Sequence, residues 1–134
     1  MRIVLDTNVL ISGLLSTRRA PAQILDLILS GDITVVFDDR IVQEYRDVSR
    51  RPRFAFRPAD VSRIIDGIIA AGEHVAARPL DDSMPDSGDL PFLEVAVSAV
   101  ADALVTGNVR HFASSSSRHR VGVQTPRQLL HKLR

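Results

Sequence analysis

The sequence contains no cysteine and no tryptophan, and Lys132 is its only lysine. Without cysteine the chain cannot form a disulfide, a thiolate metal site or a cysteine nucleophile. The single lysine follows no glycine-rich turn, which excludes a P-loop nucleotide site. Aromatic residues make up only 4% of the chain, which argues against a dedicated platform for stacking the bases of a single strand.

Long hydrophobic runs are also missing. No segment approaches the roughly 18 apolar residues that a membrane helix needs, and Asp6 and Asn8 interrupt the apolar start. We therefore expect a cytoplasmic protein without a membrane span or signal peptide. With 134 residues, 45% of them hydrophobic, the chain has the length of one domain, residues 1–134. The formal net charge of +1 is too small to indicate nucleic-acid binding by itself.

Hydrophobic patterning predicts strands that alternate with helices. Strands are expected at 2–5, 33–37, 74–77, 103–106 and 121–124, and helices at 9–15, 22–30, 39–49, 59–71, 91–101 and from 126 onward; 79–89 and 114–117 are expected to be loops. This alternation indicates right-handed β-α-β units, that is, a parallel sheet covered by helices on both faces. Ligands of such folds bind beyond the carboxyl ends of the strands.

Oxygen-bearing side chains follow the first strand and lie along the third helix. Asp6, Thr7 and Asn8 place two carbonyl-type groups and a hydroxyl in one tight turn. Such oxygens can ligate a hard cation, although an aspartate here can equally be a solvated residue or a helix cap. Glu44 lies at the edge of its helix's apolar stripe rather than opposite it. It is either a site residue or a carboxylate that reaches water from that edge.

More acids surround the helix at 91–101. Asp89 immediately precedes this helix, where the macrodipole favours an anion, and a simple cap explains that position as well. The polar stripe of the helix is Glu94, Ser98 and Asp102, spaced four residues apart. We expect Glu94 to face solvent and leave Asp102 undecided. The sequence also leaves open whether Asp86, in the preceding loop, joins a site.

Thr106 and Asn108 lie at the carboxyl end of the strand at 103–106, as Asp6 and Asn8 do at the first strand. Each signal is ordinary when taken alone. Together they place several oxygen ligands on one rim of the predicted sheet.

The order and spacing of these motifs resemble those of PIN-domain ribonucleases. The matching segments are Val4-Leu5-Asp6-Thr7-Asn8-Val9-Leu10, Val42-Gln43-Glu44-Tyr45, Asp89 followed by Phe92-Leu93-Glu94, and Ala101-Asp102-Ala103-Leu104-Val105-Thr106-Gly107. The resemblance spans nearly the whole chain. It is nearest to the VapC-like group, which are toxin components of bacterial toxin–antitoxin systems.

The resemblance implies a three-layer α/β/α sandwich with a central parallel sheet, and cleavage of RNA phosphodiester bonds with Mg²⁺ or Mn²⁺. The residues carried over by position are the metal-binding, catalytic acids Asp6, Glu44 and Asp89, with Thr7, Asn8, Thr106 and Asn108 as supporting groups. The family's fourth acid follows Thr-Gly, where this chain has the uncharged Asn108. A second metal would therefore be held less well, and Asp102 is a candidate to compensate.

Elementary chemistry agrees with the implied cofactor. Three clustered carboxylates repel one another unless some take up protons, and a hard divalent ion relieves this repulsion. Such an ion also lowers the pKa of bound water and neutralises charge on the scissile phosphate. Arg50, Arg51, Arg53 and Arg110 are predicted contacts to the RNA backbone, although each can equally belong to a solvated surface. The resemblance further implies an antitoxin protein as partner and a homodimer.

Other families whose first strand ends in aspartate match less well. A haloacid-dehalogenase-type phosphotransferase needs a second aspartate where this chain has Asn8, and a lysine that Lys132 is badly placed to supply. A response-regulator receiver domain needs an acidic pair and a late lysine, and both are missing. The stronger alternative, favoured by Asn108, is a non-catalytic PIN-like module that binds RNA or a protein without cutting.

Overall fold

Short parallel strands form the centre of the molecule. The computed structural model describes residues 1–133, so that Arg134 of the predicted domain lies outside the described residues. The strands are β1 (Arg2–Leu5), β2 (Thr34–Phe37), β3 (Glu73–His74), β4 (Ala103–Val105) and β5 (Val123–Gln124). They form one sheet in the order β3-β2-β1-β4-β5, and every neighbouring pair is parallel. The central strand β1 is apolar and buried after Arg2, as both faces of the sheet are covered.

Helices cover the two faces of this sheet. They are α1 (Thr7–Leu15), α2 (Ala20–Leu29), α3 (Asp39–Ser49), α4 (Pro58–Ala71), α5 (Leu90–Ser98), α6 (Ala113–His119) and α7 (Pro126–Leu133). Helices α1 to α4 pack together on one face with α7 against α2, while α5 packs on β1, β2 and β4 from the other face. The predicted three-layer α/β/α fold is confirmed. Among residues 1–133, no helix combines the length and apolar character that a membrane crossing requires.

The predicted strands at 74–77 and 121–124 are shorter in the structure, where β3 is Glu73–His74 and β5 is Val123–Gln124. Two other predicted boundaries are wrong for identifiable reasons. Residues 114–117 are not a loop, because they lie inside α6, where Ser115 is buried and its hydroxyl donates to the Met84 sulfur at 3.4 Å. Helix α5 ends at Ser98 rather than 101, since Val100 has a positive φ of 50° that a right-handed helix cannot continue through.

Candidate active site

Parallel pairing brings the ends of β1 and β4 together. Leu5 lies opposite Val105, so Asp6 and Thr106 follow side by side at the carboxyl edge of the sheet. The Thr106 hydroxyl donates to Asp6 Oδ2 at 2.6 Å. Asp6 has the N-cap position of α1, but its side chain makes no capping bond to that helix. The carboxylate, only 5% exposed, is thus fixed across the sheet instead of at the helix.

Glu44 reaches the same edge from α3. The Thr7 hydroxyl donates to Glu44 Oε2, which joins the first residue of α1 to the middle of α3. The next residue, Tyr45, is buried and donates its hydroxyl to the Leu5 carbonyl at the end of β1. Neighbouring residues of α3 therefore fix the helix to the strand end and turn Glu44 toward it.

Asp89 approaches from the other side of the edge. It ends a short 3₁₀ turn, Ser87–Asp89, and is 8% exposed. His111 Nδ1 donates to Asp89 Oδ2 at 2.9 Å, since an ionised carboxylate can only accept. A Cβ built on Gly88 would lie 3.9 Å from Glu44 Oε1 and 3.2 Å from Asp86 Oδ1. The turn that carries Asp86 and Asp89 is therefore packed closely beside Glu44.

The pKa values of two carboxyls show that these acids interact. Burial, with smaller contributions from the negative charges of Asp89 and Glu44, raises the pKa of Asp6 to about 6 against the hydrogen bond from Thr106. Burial also raises the pKa of Asp89, with a contribution from Asp86, while the His111 hydrogen bond lowers it. Asp6 therefore lies within electrostatic range of Glu44 and Asp89, and we call these three carboxylates the acidic site.

The donor set of the acidic site suits a hard divalent ion, because carboxylate oxygens are the ligands such ions prefer. Within residues 1–133, however, no three His, Asp or Glu side chains are close enough to hold one ion together. Mg²⁺ usually binds through one or two carboxylates and keeps several waters. The site thus fits a metal of this kind in its chemistry, without forming a complete protein cage.

The predicted supporting groups lie at the same edge. The Gly107 amide donates to Asn8 Oδ1 at 3.3 Å, and the Asn108 amide donates to Thr106 Oγ1 at 3.0 Å. The turn after β4 is thereby tied to both Asn8 and the hydroxyl that holds Asp6. Asn108 itself is exposed.

Two acids are not where the sequence analysis expected them. Asp102 lies at the opposite end of the sheet, where its Oδ2 accepts from the Arg2 amide at the start of β1 at 2.8 Å. It is too remote from Asp6 to compensate for Asn108, so that suggestion is wrong. Glu94 does not face solvent: it is 4% exposed and accepts from Arg40 at 2.7 Å and from the Leu80 amide at 2.6 Å.

The predicted RNA-contacting arginines lie on two surfaces. Arg50 and Arg51 line a cavity of about 580 Å³ between α3 and α4, and Arg53 lies 4.8 Å over the ring of Phe54. Arg110 is exposed on the short 3₁₀ segment that also carries His111. Their contact with RNA stays a prediction.

Sequence reasoning considered His111 only as a possible contact to the RNA backbone, and it left open whether Asp86 joins the site. The available signal for His111 was its position three residues after Asn108, just beyond the carboxyl end of β4. Asp86 precedes Asp89 by three residues, and its Oδ1 accepts from the Gly88 amide at 2.9 Å. This bond shapes the turn that presents Asp89.

Comparison with known proteins agrees with this geometry. The family model described as PIN domain matches residues 2–110. No curated protein matches the sequence. Among solved structures, VapBC2 from Rickettsia felis bound to a DNA fragment from its promoter is similar with a TM-score of 0.59 and 15% identity, covering 93% of this chain and 98% of that chain. At this identity the likeness shows the fold alone.

Proposed function

This chain belongs to the PIN domain family, and from that premise we propose that it is a divalent-metal-dependent ribonuclease. The observation that carries the proposal is the buried Asp6 carboxylate, which Thr106 holds at the sheet edge that Glu44 and Asp89 also reach, and whose pKa is raised to about 6, mainly by burial. Burying interacting carboxylates disfavours the folded state unless a cation neutralises them. An arrangement that is unfavourable for the metal-free fold is best explained by a site that binds a cation and a phosphate.

Asp6, Glu44 and Asp89 would hold Mg²⁺ or Mn²⁺ in this proposal. When bound, such an ion supplies a water of lowered pKa and neutralises charge on the scissile phosphate. The protein's part is to fix the carboxylates: Thr106 holds Asp6 and Thr7 holds Glu44. Each carboxylate keeps a second oxygen for other partners, since each of these bonds engages one oxygen only.

His111 and Asn8 complete this support. His111 orients Asp89, and Asn8 holds the Gly107 turn beside Asp6. Groups that orient metal-binding side chains typically contribute about 10- to 100-fold to metal affinity or activity. We therefore assign His111 to positioning.

We also propose that the protein is the toxin component of a toxin–antitoxin pair, with an antitoxin protein as partner and a homodimer as its assembly. The support is the shared fold with VapBC2, which is a complex bound to promoter DNA.

The competing function is a PIN-like module that binds RNA or a protein without cutting. Asn108 is the observation that favours it, because an amide adds no charge to a metal site.

Incubation of the purified chain with labelled RNA separates these functions. We expect cleavage with Mn²⁺ or Mg²⁺ and intact RNA with EDTA, because the carboxylates need the cation to bind a phosphate. Calorimetry should detect Mn²⁺ binding in the millimolar range or tighter. RNA that is bound but never cut would favour the non-catalytic module. Absence of metal binding, or full activity of Asp89→Ala, would remove the metal assignment.

The Asn108→Asp variant tests whether this position belongs to the metal site. We expect Mn²⁺ to bind about tenfold more tightly, which corresponds to roughly 1.4 kcal/mol of added attraction between the ion and the new carboxylate. Titration calorimetry at fixed pH measures the change. Asp102→Asn is the matched control, since it alters one charge at the opposite end of the sheet and should leave Mn²⁺ affinity unchanged. Equal affinity of Asn108→Asp and the native protein would place residue 108 outside the site.

A further inference from the structure

A groove of about 970 Å³ opens next to the acidic site. Asn8 and Gly107, which are joined by a hydrogen bond of 3.3 Å at the edge of the sheet, lie at one end of it. The rest is formed by α1, the start of α2 and the helix α7. A molecule bound along this groove would therefore reach the turn that adjoins Asp6.

Three arginines line this groove, which we call the arginine groove: Arg18, Arg19 and Arg127. All three are exposed, and no lining residue among those that the structure describes is acidic. None of the three side chains forms an ion pair within residues 1–133, whereas Arg40 and Arg46 are paired with acids at 2.7 and 3.0 Å. Arginines that are free of internal partners remain available for an external anion, and their planar donors match a phosphate.

The backbone of α2 adds to this positive character. Arg19 is the N-cap residue of α2, and its carbonyl accepts from the Ala22 and Gln23 amides while its guanidinium, which has no acceptor, is left outside the helix hydrogen bonds. The N-terminus of a helix carries a partial positive charge that favours phosphate. By contrast, the N-terminus of α7 is already capped by Thr125 and Gln128, so that helix contributes the Arg127 side chain.

The walls of the groove between the arginines are largely uncharged. They include Pro21 and Leu130, which are partly exposed and offer apolar surface. Such walls can contact sugar and base faces without selecting particular base edges, while arginines contact the phosphates. The combination suits a nucleic-acid strand held by its backbone.

We propose that the arginine groove binds the backbone of the RNA strand that enters the acidic site, an inference that rests on the proposed function. Arg18, Arg19 and Arg127 contact phosphates beyond the cleaved bond and position the strand. The groove reaches Asn8 and Gly107 at the sheet edge that carries Asp6, and its charge of +3 from these arginines is complementary to RNA. Arg18 and Arg19 lie between α1 and α2, far from Arg127 of α7 in the sequence, and only the fold brings them together.

Fluorescence anisotropy with a labelled 12-nucleotide RNA tests the arginine groove. The assay uses an Asp6→Asn background, so that the RNA stays intact, and several salt concentrations. We expect the triple variant Arg18→Gln, Arg19→Gln, Arg127→Gln to bind RNA at least about tenfold more weakly. The slope of log affinity against log salt should decrease by about 2, since each single-strand phosphate contact contributes about 0.7.

The matched control is Arg57→Gln, Arg63→Gln, Arg78→Gln. It removes the same charge from exposed arginines outside the groove, and its Kd should stay within about twofold. Circular dichroism verifies the fold of both variants. An equal loss in both variants would reduce the effect to net charge and overturn the inference. An unchanged Kd of the groove variant would also overturn it and point to a protein as the occupant.

The outcomes also separate this inference from the proposed function. If the native protein cuts RNA, and the groove substitutions leave the Kd in the Asp6→Asn background and the KM in the native background unchanged, the arginine groove fails and the ribonuclease stands. If the native protein never cuts RNA but the groove variant loses RNA binding selectively, the ribonuclease fails and the groove stands as an RNA site.

Discussion

The Asp6→Asn variant is expected to cleave RNA at least about 100-fold more slowly, which is the upper range for loss of a group that orients a metal ligand. In the absence of metal, the same variant is expected to be more stable than the native protein. The loss follows because an amide replaces a charged oxygen at the centre of the acidic site. The gain follows because burial raises the pKa of Asp6 from 3.8 to about 6. Asparagine keeps the size of the side chain and an oxygen that can accept from Thr106.

The size of the stability effect depends on pH. Since the folded Asp6 holds its proton more tightly than the unfolded residue, the native fold loses stability as pH rises from about 4 to about 6. Above this window the buried charge costs up to about 3 kcal/mol. We expect the free energy of unfolding of Asp6→Asn, measured with urea in EDTA, to exceed that of the native protein by about 1–3 kcal/mol at pH 7. Near pH 4 the two values should differ little.

Asp26→Asn is the control for this prediction. Asp26 is an exposed carboxylate on α2, and its substitution should change the unfolding free energy by less than about 0.5 kcal/mol. A metal-free Asp6→Asn protein that is less stable than native at pH 7 would contradict the prediction. It would mean that the Thr106 bond to a charged Asp6 outweighs the burial of that charge.

The position of Asp6 was predictable because it depends on local rules. An apolar run that ends in aspartate, alternating with helices, indicates a buried parallel strand whose end lies at the ligand-binding edge. The same rule placed Asn8, Thr106 and Asn108 at that edge, and the register of β1 and β4 brings them together. The short range of these patterns is what made them readable from the sequence.

The position of Asp102 was not predictable in this way. Its spacing from Glu94 and Ser98 predicts one helical face, but α5 ends at Ser98 and the chain turns at Val100. A non-glycine residue with positive φ is uncommon, so the pattern gave no warning of the turn. The arginine groove was unpredictable for a different reason, since it depends on how α2 and α7 pack.

Glu94 shows how a buried carboxylate with an arginine partner can be mistaken for a residue that faces solvent. A glutamate in an otherwise apolar helix indicates exposure by composition alone. In the structure Glu94 lies between Arg40, whose other partner is Asp38, and the Leu80 amide. It therefore joins the start of α3 to the segment that leads toward Asp89, and such long-range partners leave no local pattern.

The free energy of unfolding of the Glu94→Ala variant is expected to be about 2–4 kcal/mol lower than that of the native protein. Removal of the Glu94 carboxylate leaves the Leu80 amide without a partner and takes from Arg40 one of its two carboxylates. The Arg40 side chain is 48% exposed, so water offsets part of the lost ion pair. We therefore expect most of the loss to come from the amide and from the volume that alanine leaves unfilled. Urea unfolding at pH 7 measures the difference.

Two further variants separate these contributions. Glu94→Gln should lose less than Glu94→Ala, because its amide oxygen still accepts from the Leu80 amide while the charge opposite Arg40 is gone. Glu73→Gln removes an exposed carboxylate from Arg2 and should change stability little. Cleavage per folded molecule should fall much less in Glu94→Gln than in Asp6→Asn, since Glu94 contacts none of the three carboxylates of the acidic site. Native stability of Glu94→Ala would show that Arg40 and Leu80 find other partners, and Glu94 would then have no part in holding the segment before Asp89.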